Sequence, residues 1–568
     1  MKLPLQSRWA SVRPERVSAV RFRVGWSVFV PRSAVPPTRV DIAGLEERRY
    51  PPHTFTYHVL RIILMSFDVS PLDEHNKELL ANVHPEDWQN PEPADKYNLV
   101  VIGGGTAGLI TSIVTASMGG KAALIEKNLM GGDCLNVGCV PSKAIIRSAR
   151  FRSDILRAQE LGWKPVGDAE VDFAAVMERM RRIRTKISAD DSAARYRDEG
   201  VDVFIGEGRF IDSNTVEVDG KRLKFKKAVI ATGARAVCPP IPGIDEAGYL
   251  TNETVFNLTE LPRRLAVIGG GPIGCELAQA FQRFGSQVTI MEMMPQFLIR
   301  EDPEAAEILR RALEREGLRI ALKAAIEKIE KTADGKRIHY TVDGKSEIVD
   351  VDEILVGAGR APNVQGLGLE AVGVEYDERT GVTVDDGLRT TNKNIYAAGD
   401  ICSPYKFTHT ADAAAQIVIG NALFKGRRKF SKLVIPWATY TDPEIAHVGM
   451  YEADAKTQGI EIDTYMAPFG DVHRAIAEGE EEGFVKIHVK KGTDTIVGAT
   501  VVASHAGEMI SEITTCMVHG IGLGKIASVI HPYPTQSEAI KKCAGLYRRR
   551  KLTPRVAGII KKWLAFSR

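Results

Sequence analysis

Tyr97-Asn98-Leu99-Val100-Val101-Ile102 runs straight into Gly103-Gly104-Gly105-Thr106-Ala107-Gly108. The apolar run predicts a buried strand. Leu109 to Met118 predicts a helix, and Lys121–Ile125 a second strand ending at Glu126. A Gly-x-Gly-x-x-Gly between strand and helix, with an acid about twenty residues on, is a dinucleotide fingerprint. Gly103 permits the turn, Gly105 lets a pyrophosphate approach the backbone, and Gly108 lets helix pack on strand. The helix N-terminus faces the phosphates, and Glu126 can accept from a ribose hydroxyl.

The same unit returns downstream. Arg264-Leu265-Ala266-Val267-Ile268 leads into Gly269-Gly270-Gly271-Pro272-Ile273-Gly274, a helix over Cys275–Phe284, and a strand Gln287–Met291 ending at Glu292. Two complete fingerprints predict two bound dinucleotides. Glu292 stands where a carboxylate accepts from a 2′-hydroxyl and repels a 2′-phosphate, so NADH is expected in preference to NADPH.

Directly after the first fingerprint lies Gly131-Gly132-Asp133-Cys134-Leu135-Asn136-Val137-Gly138-Cys139-Val140-Pro141-Ser142-Lys143. A helical pattern follows from Ser142 to Arg152. A thiol near a helix N-terminus is stabilised as the thiolate, and a second thiol close by can exchange electrons with it. The competing readings are two core cysteines or half a zinc site. A zinc site needs a second close-spaced ligand pair, and none is found. Electrons can therefore run from one nucleotide to another and on to the cysteines, which makes one nucleotide a flavin.

The chain has 568 residues and a formal net charge of +3. That length predicts several domains, and near-neutral charge implies no global pull toward nucleic acid or membrane. The other cysteines, Cys238, Cys275, Cys402, Cys516 and Cys543, are scattered. This suits a reducing compartment, taken as the cytoplasm. Residues 1–64 are Pro- and Arg-rich without a sustained period. They resemble a transit peptide or an over-extended translation start, and the second reading predicts a mature protein beginning at Met65, to be decided by intact mass or N-terminal sequencing. Asn82–Ala94 reads as an arm, and residues 151–200 as a helical connection with a charged face from Glu178 to Lys186. Apolar strands enter Gly turns at Thr232-Gly233 and at Gly359. Residues 319–349 alternate as strands. Asn394–Ala398 leads into Gly399-Asp400, whose carboxylate either meets a ribityl or ribose hydroxyl or caps the helix Ala411–Phe424. From Trp437 onward no nucleotide motif remains, and an interface domain is expected. Residues 541–568 carry ten Lys or Arg and no acid. Within them Arg555–Phe566 is helix-like and amphipathic, suited to a membrane surface or to packing on its own protein.

Together these motifs resemble the flavin-dependent pyridine nucleotide–disulfide oxidoreductases, which include lipoamide dehydrogenase, glutathione reductase and mercuric reductase. The resemblance spans roughly residues 96–550. It implies an α/β chain with two Rossmann-like domains, for FAD and NAD, plus a C-terminal α+β dimerisation domain. The implied order is extension and arm 1–95, FAD domain 96–247 and 361–431, NAD domain 248–360, dimerisation domain 432–550 and basic tail 551–568. FAD would sit on Gly103, Gly105, Gly108 and Glu126, with Thr232, Gly233 and Gly359 at the cofactor edges and Asp400 at the ribityl chain. The nicotinamide nucleotide would bind Gly269, Gly271, Gly274 and Glu292. Cys139 would be the thiolate against the flavin, and Cys134 the outer thiol that meets substrate. Lys143 would lie near the flavin and pair with Glu276. A homodimer is implied, each site completed by the partner's C-terminal domain through Tyr533 and Glu538.

Two departures bear on the acceptor. Lipoamide dehydrogenase and glutathione reductase place a His before Pro-Thr, and here Tyr533 stands there, as in mercuric reductase. A tyrosine is a poor base at neutral pH. His531, two residues back, would share its side in an extended segment and is the substitute base to consider. Mercuric reductase also carries a vicinal Cys pair at its C-terminus and a Cys-x-x-Cys domain. This sequence ends Trp563-Leu564-Ala565-Phe566-Ser567-Arg568 with neither. The expectation is a mercuric-reductase-like enzyme passing electrons from NAD(P)H through FAD to Cys134–Cys139 and on to a soft metal ion or other small oxidant. The alternative is a dihydrolipoamide dehydrogenase-like disulfide enzyme, and a third reading is a redox sensor without turnover. No metal cofactor is expected.

Overall fold

Residues 69–164 and 170–568 are described in this computed structural model. The expectations for residues 1–64 and for a start at Met65 fall outside them. Tyr97–Ile102 runs parallel to Ala122–Glu126 on one side and to Lys221–Ile230 on the other. Val201–Ile205 extends the sheet beyond Ala122–Glu126, and Ile395–Ala397 extends it beyond Lys221–Ile230. Leu99, Val100, Val101 and Ile102 are all buried, as expected of a parallel strand covered on both faces. The helix Thr408–Phe424 packs on the fingerprint helix Thr106–Ser117. The chain thus leaves the first sheet, builds a second, and returns.

The second sheet is parallel, ordered Arg319–Leu322, Gln287–Glu292, Arg264–Ile268, Glu353–Val356. Its crossover is an antiparallel meander of Ala325–Thr332, Gly335–Val342 and Lys345–Val351. The last third is a five-stranded antiparallel sheet covered by the helices Ala506–Val518 and Glu538–Lys551. Among the described residues no helix is long and apolar enough to cross a membrane.

The segment leading into the arm, and the arm itself, are held to the first domain. Glu74–Val83 is a helix whose N-cap Asp73 accepts from Asn76 N–H at 2.9 Å. Leu79 and Val83 are buried in the core. Further on, Trp88 donates to the Val203 carbonyl at 3.2 Å, and Asn90 bonds both backbone groups of Ile205, at 2.7 and 2.9 Å. The charged face of the helix Phe173–Ser188 also differs from a solvated one. Arg181 and Arg184 are buried, Arg181 against Asp73 at 2.5 Å and Arg184 against Asn76 at 2.6 Å and the Asn136 carbonyl at 2.8 Å. A buried guanidinium is tolerated only with such partners.

Candidate active site

The two fingerprints fold into matching cradles. Gly103 has φ +109°, and a Cβ there would lie 2.2 Å from the Ala231 carbonyl oxygen. A Cβ at Gly108 would lie 1.8 Å from the Gly103 oxygen. Both positions exclude any side chain. A Cβ at Gly105, by contrast, would meet nothing closer than 3.7 Å. The middle glycine therefore borders open space, which is what an approaching pyrophosphate needs. Gly269, Gly274 and Gly271 repeat the pattern, with nearest atoms at 2.8, 2.2 and 3.9 Å. The carboxylates repeat it too. Glu126 accepts from Gly104 N–H at 2.5 Å and Asn128 N–H at 2.7 Å. Glu292 accepts from Gly270 N–H and Met294 N–H, both at 2.8 Å. A carboxylate has lone pairs to spare for a ribose hydroxyl beyond two such bonds.

Cys134 lies in the short helix Gly132–Val137, and Cys139 opens the helix Cys139–Leu156. This helix begins three residues before the expected Ser142, so Cys139 itself sits in the first turn, at the positive end of the dipole. Both cysteines are free thiols. Cys139 is held down at about 6, first by a hydrogen bond from Cys134, with Thr408 and the Lys143 charge adding to it against burial. The same bond, together with burial, pushes Cys134 well up. The reduced pair is one thiolate, Cys139, and one neutral thiol, Cys134, that donates to it. The Thr408 hydroxyl lies 3.5 Å from the Cys139 sulfur.

Lys143 sits one turn further along the same helix. Its Nζ meets Glu276 Oε2 at 2.8 Å, and Glu276 is 5% exposed. Glu276 belongs to the second fingerprint's helix, Pro272–Phe284. Its other oxygen accepts from Tyr440 N–H at 2.9 Å, and Lys143 lies 4.5 Å over the Tyr440 ring. One ion pair thus joins the dithiol helix, the second cradle and the start of the antiparallel domain. Burial alone would lower Lys143, but Glu276 outweighs it and the ammonium is held above its ordinary value.

Asp400 is pushed up by burial and opposed by Arg360 and Lys406. Arg360 is 3.7 Å from Asp400, forms an ion pair with Asp133 beside Cys134, and donates to the Ala234 carbonyl at 2.7 Å. Asp400 precedes Thr408–Phe424 by several residues and does not cap it: the N-cap is Phe407, with no side-chain cap. Thr232 is fixed by Asn363, hydroxyl to carbonyl at 2.9 Å and amide to carbonyl at 2.9 Å, and Gly233 accepts from Asn363 N–H at 3.0 Å.

A single cavity of about 2380 Å³ joins these groups. Gly103, Gly105, Glu126, Cys134, Cys139, Lys143, Thr232, Gly233, Gly359 and Asp400 line it, and so do Gly269, Gly271, Glu276 and Glu292. Gly108 and Gly274 serve instead in packing behind it. The open Gly105 and Gly271 edges, the buried carboxylates and the continuous space fit one dinucleotide at each cradle, with the dithiol between them.

Tyr533 and Glu538 do not line this cavity. Tyr533 is 70% exposed and shares a hydrogen bond with His473 Nδ1 at 3.2 Å, their rings edge to face. Glu538 starts the helix Glu538–Lys551. His531 does not join Tyr533: its Nε2 meets Glu512 at 3.0 Å, and its side chain is buried. The turn at Pro532–Pro534 sends the two side chains to different partners, so the expected shared side of an extended segment is not realised. Thr408, Arg360, Tyr440 and His473 were not singled out from sequence. Only Arg360 carried a local signal, its place after the Gly359 turn.

Residues 97–416 match the pyridine nucleotide-disulphide oxidoreductase family, and residues 435–544 match that family's dimerisation domain. A mercuric reductase of Bacillus cereus is 34% identical over 452 residues, covering 80% of this chain and 72% of the relative. A dihydrolipoyl dehydrogenase of Geobacillus stearothermophilus is 33% identical over 450 residues, covering 78% and 95%. Among solved structures, the HOCl-induced flavoprotein disulfide reductase RclA of Escherichia coli aligns with TM-score 0.72 and 30% identity, over 79% of this chain and 100% of that one. RclA has also been solved as a Cu(II) complex.

Proposed function

Because the chain belongs to the pyridine nucleotide-disulphide oxidoreductases, an FAD-dependent enzyme family that uses a pyridine nucleotide, we propose that it carries electrons from NADH to the Cys134–Cys139 pair and on to a small oxidant, foremost a soft metal ion. The observation that carries this reading is the thiolate–thiol pair on the wall of a cavity shared by both cradles. FAD and the nicotinamide nucleotide, when bound, would supply two-electron transfer from NADH to the Cys134–Cys139 disulfide. Gly103, Gly105, Glu126 and Asp400 would hold the first, with Gly108 closing the helix on its strand, and Gly269, Gly271 and Glu292 would hold the second, with Gly274 in the same packing role. Lys143 and Glu276 hold the two cradles together beside Cys139.

The dithiol then discharges. Its two sulfurs become a disulfide, the Cys134 proton leaves, and two electrons pass to one Hg(II) or to two Cu(II) ions. Neither acceptor needs a proton, so Tyr533 in place of a histidine costs this reaction nothing. The named relatives support it: mercuric reductase by its activity, and RclA by its Cu(II) complex. Initial rates of NADH oxidation with cupric and mercuric ions, against lipoamide and glutathione disulfide, test the reading. Metal-dependent turnover well above disulfide turnover is expected. Oxidation of dihydrolipoamide at the rate of an ordinary lipoamide dehydrogenase overturns it.

A second reading, a disulfide acceptor, is favoured by one contact. His473 shares a hydrogen bond with the Tyr533 hydroxyl, and an imidazole carries both a donor and an acceptor nitrogen for a proton relay. In the homodimer we propose, Tyr533 faces the partner's dithiol, and His473 then stands behind it. If disulfides are the acceptors, His473→Asn is expected to lower their turnover about tenfold or more. Unchanged disulfide turnover in that variant favours the metal reading.

Nucleotide preference is a separate expectation. A 2′-phosphate would meet the Glu292 carboxylate, so kcat/KM for NADH should exceed that for NADPH by about tenfold or more. Steady-state kinetics with both nucleotides check this, and Glu292→Gln should narrow the gap.

A further inference from the structure

We propose that the C-terminal helix, Pro554–Phe566, is an interfacial anchor that docks the enzyme on an anionic lipid surface. Sequence left open whether this helix lies on a membrane or on its own protein. In the structure none of its residues is buried. It is nonetheless well formed, with Thr553 accepting from Val556 N–H at the N-cap and Pro554 at its first position.

Its two faces differ. At 3.6 residues per turn, Val556, Ile559, Ile560, Trp563, Leu564 and Phe566 fall within an arc of roughly 160°. Ile559 is 68%, Trp563 67% and Phe566 86% exposed. Lys561 flanks that arc on one side, Arg555 and Lys562 on the other, and Arg568 follows the helix end. Among the described residues none of these four forms an ion pair. An apolar stripe with cations on both edges suits a plane, where the stripe enters the acyl boundary and the cations stay among anionic headgroups. Arg548, Arg549 and Lys551 at the end of the preceding helix add charge that falls within screening distance of such a surface. Pairing of two such tails is disfavoured by charge, since each brings ten cations and no acid over residues 541–568.

The test uses the full holoenzyme and a variant ending at Thr553, floated with vesicles of phosphatidylcholine alone or mixed with phosphatidylglycerol. The full chain is expected to float with the anionic vesicles at least tenfold more than with neutral ones, and raised salt should release it. The truncated form should lose at least tenfold of that binding while keeping its flavin spectrum and dimer mass. Trp563→Glu should reproduce the loss without deletion. Equal binding by the full and truncated proteins overturns the proposal, as does absence of binding by both. A truncated protein that falls apart into monomers also overturns it, because the helix then belongs to a second copy. None of these readouts depends on the electron acceptor.

Discussion

Cys139→Ser is expected to lower NADH-driven turnover by about a thousandfold or more, the scale on which a covalent nucleophile is lost. The serine hydroxyl cannot ionise at neutral pH and cannot close a disulfide. The variant should also lose the long-wavelength absorbance of the reduced enzyme, because that absorbance needs a thiolate. Cys134→Ser should lose turnover as well, but should keep the absorbance. Its hydroxyl still donates to the Cys139 sulfur, and Thr408 and Lys143 still act on it. In the wild type, Cys139 is held at about 6. Its pKa is depressed, so the charged form persists below the usual thiol range. The absorbance should therefore be constant above neutrality and fade as pH falls through about 6. A band that survives in Cys139→Ser, or fades only as pH falls through about 9, reverses the assignment of the two thiols.

Lys143→Met is the second large effect. It leaves the buried Glu276 carboxylate with only the Tyr440 N–H. Removing one member of a buried pair costs up to about 3–5 kcal/mol, discounted here because Lys143 is itself partly exposed. It also removes a positive charge that helps to hold the Cys139 thiolate. The expected result is a lower Tm, an upward move of the thiolate midpoint by about one unit, and a tenfold to hundredfold loss of turnover. The double variant Lys143→Met with Glu276→Gln separates the two consequences. Glutamine can still accept from Tyr440 N–H and needs no counter-charge, so Tm should recover. The thiolate midpoint should recover only in part, because removal of Glu276 relieves its opposing charge. Thermal denaturation and a pH titration of the reduced absorbance read these separately. If Tm and midpoint move together in every variant, the pair's role is structural alone.

The cradles were legible because their constraints are local. Continuous apolar runs announce strands covered on both faces, and Gly103 and Gly108 stand where a Cβ collides with backbone. What joins the cradles was less legible. Thr408 reaches Cys139 across 269 residues, and Tyr440 reaches Glu276 across 164. No local pattern marks such residues. Arg360 directly follows the Gly359 turn, but its bridge between Asp133 and Asp400 exists only once its strand, the helix Gly132–Val137 and the Gly399-Asp400 turn are assembled. The partners of the charged face from Glu178 to Lys186, Asp73 and Asn76, lie 108 residues earlier, at the cap and in the first turn of a helix that sequence did not single out. The start of the dithiol helix was placed late because Pro141 looks like a boundary, whereas in a first turn its missing N–H costs nothing. His473 lies 60 residues from Tyr533, and its contact changes how the acceptor question is asked.

The central claim is that electrons from NADH reach Cys134 and Cys139. The chain has seven cysteines, so with one disulfide the oxidised holoenzyme should show five reactive thiols after denaturation. Anaerobic addition of one equivalent of NADH, an acid quench, alkylation and peptide mass analysis should raise the count to seven, with the new labels on Cys134 and Cys139. NADH oxidised without any gain in thiols, or new labels on other cysteines, would contradict the account.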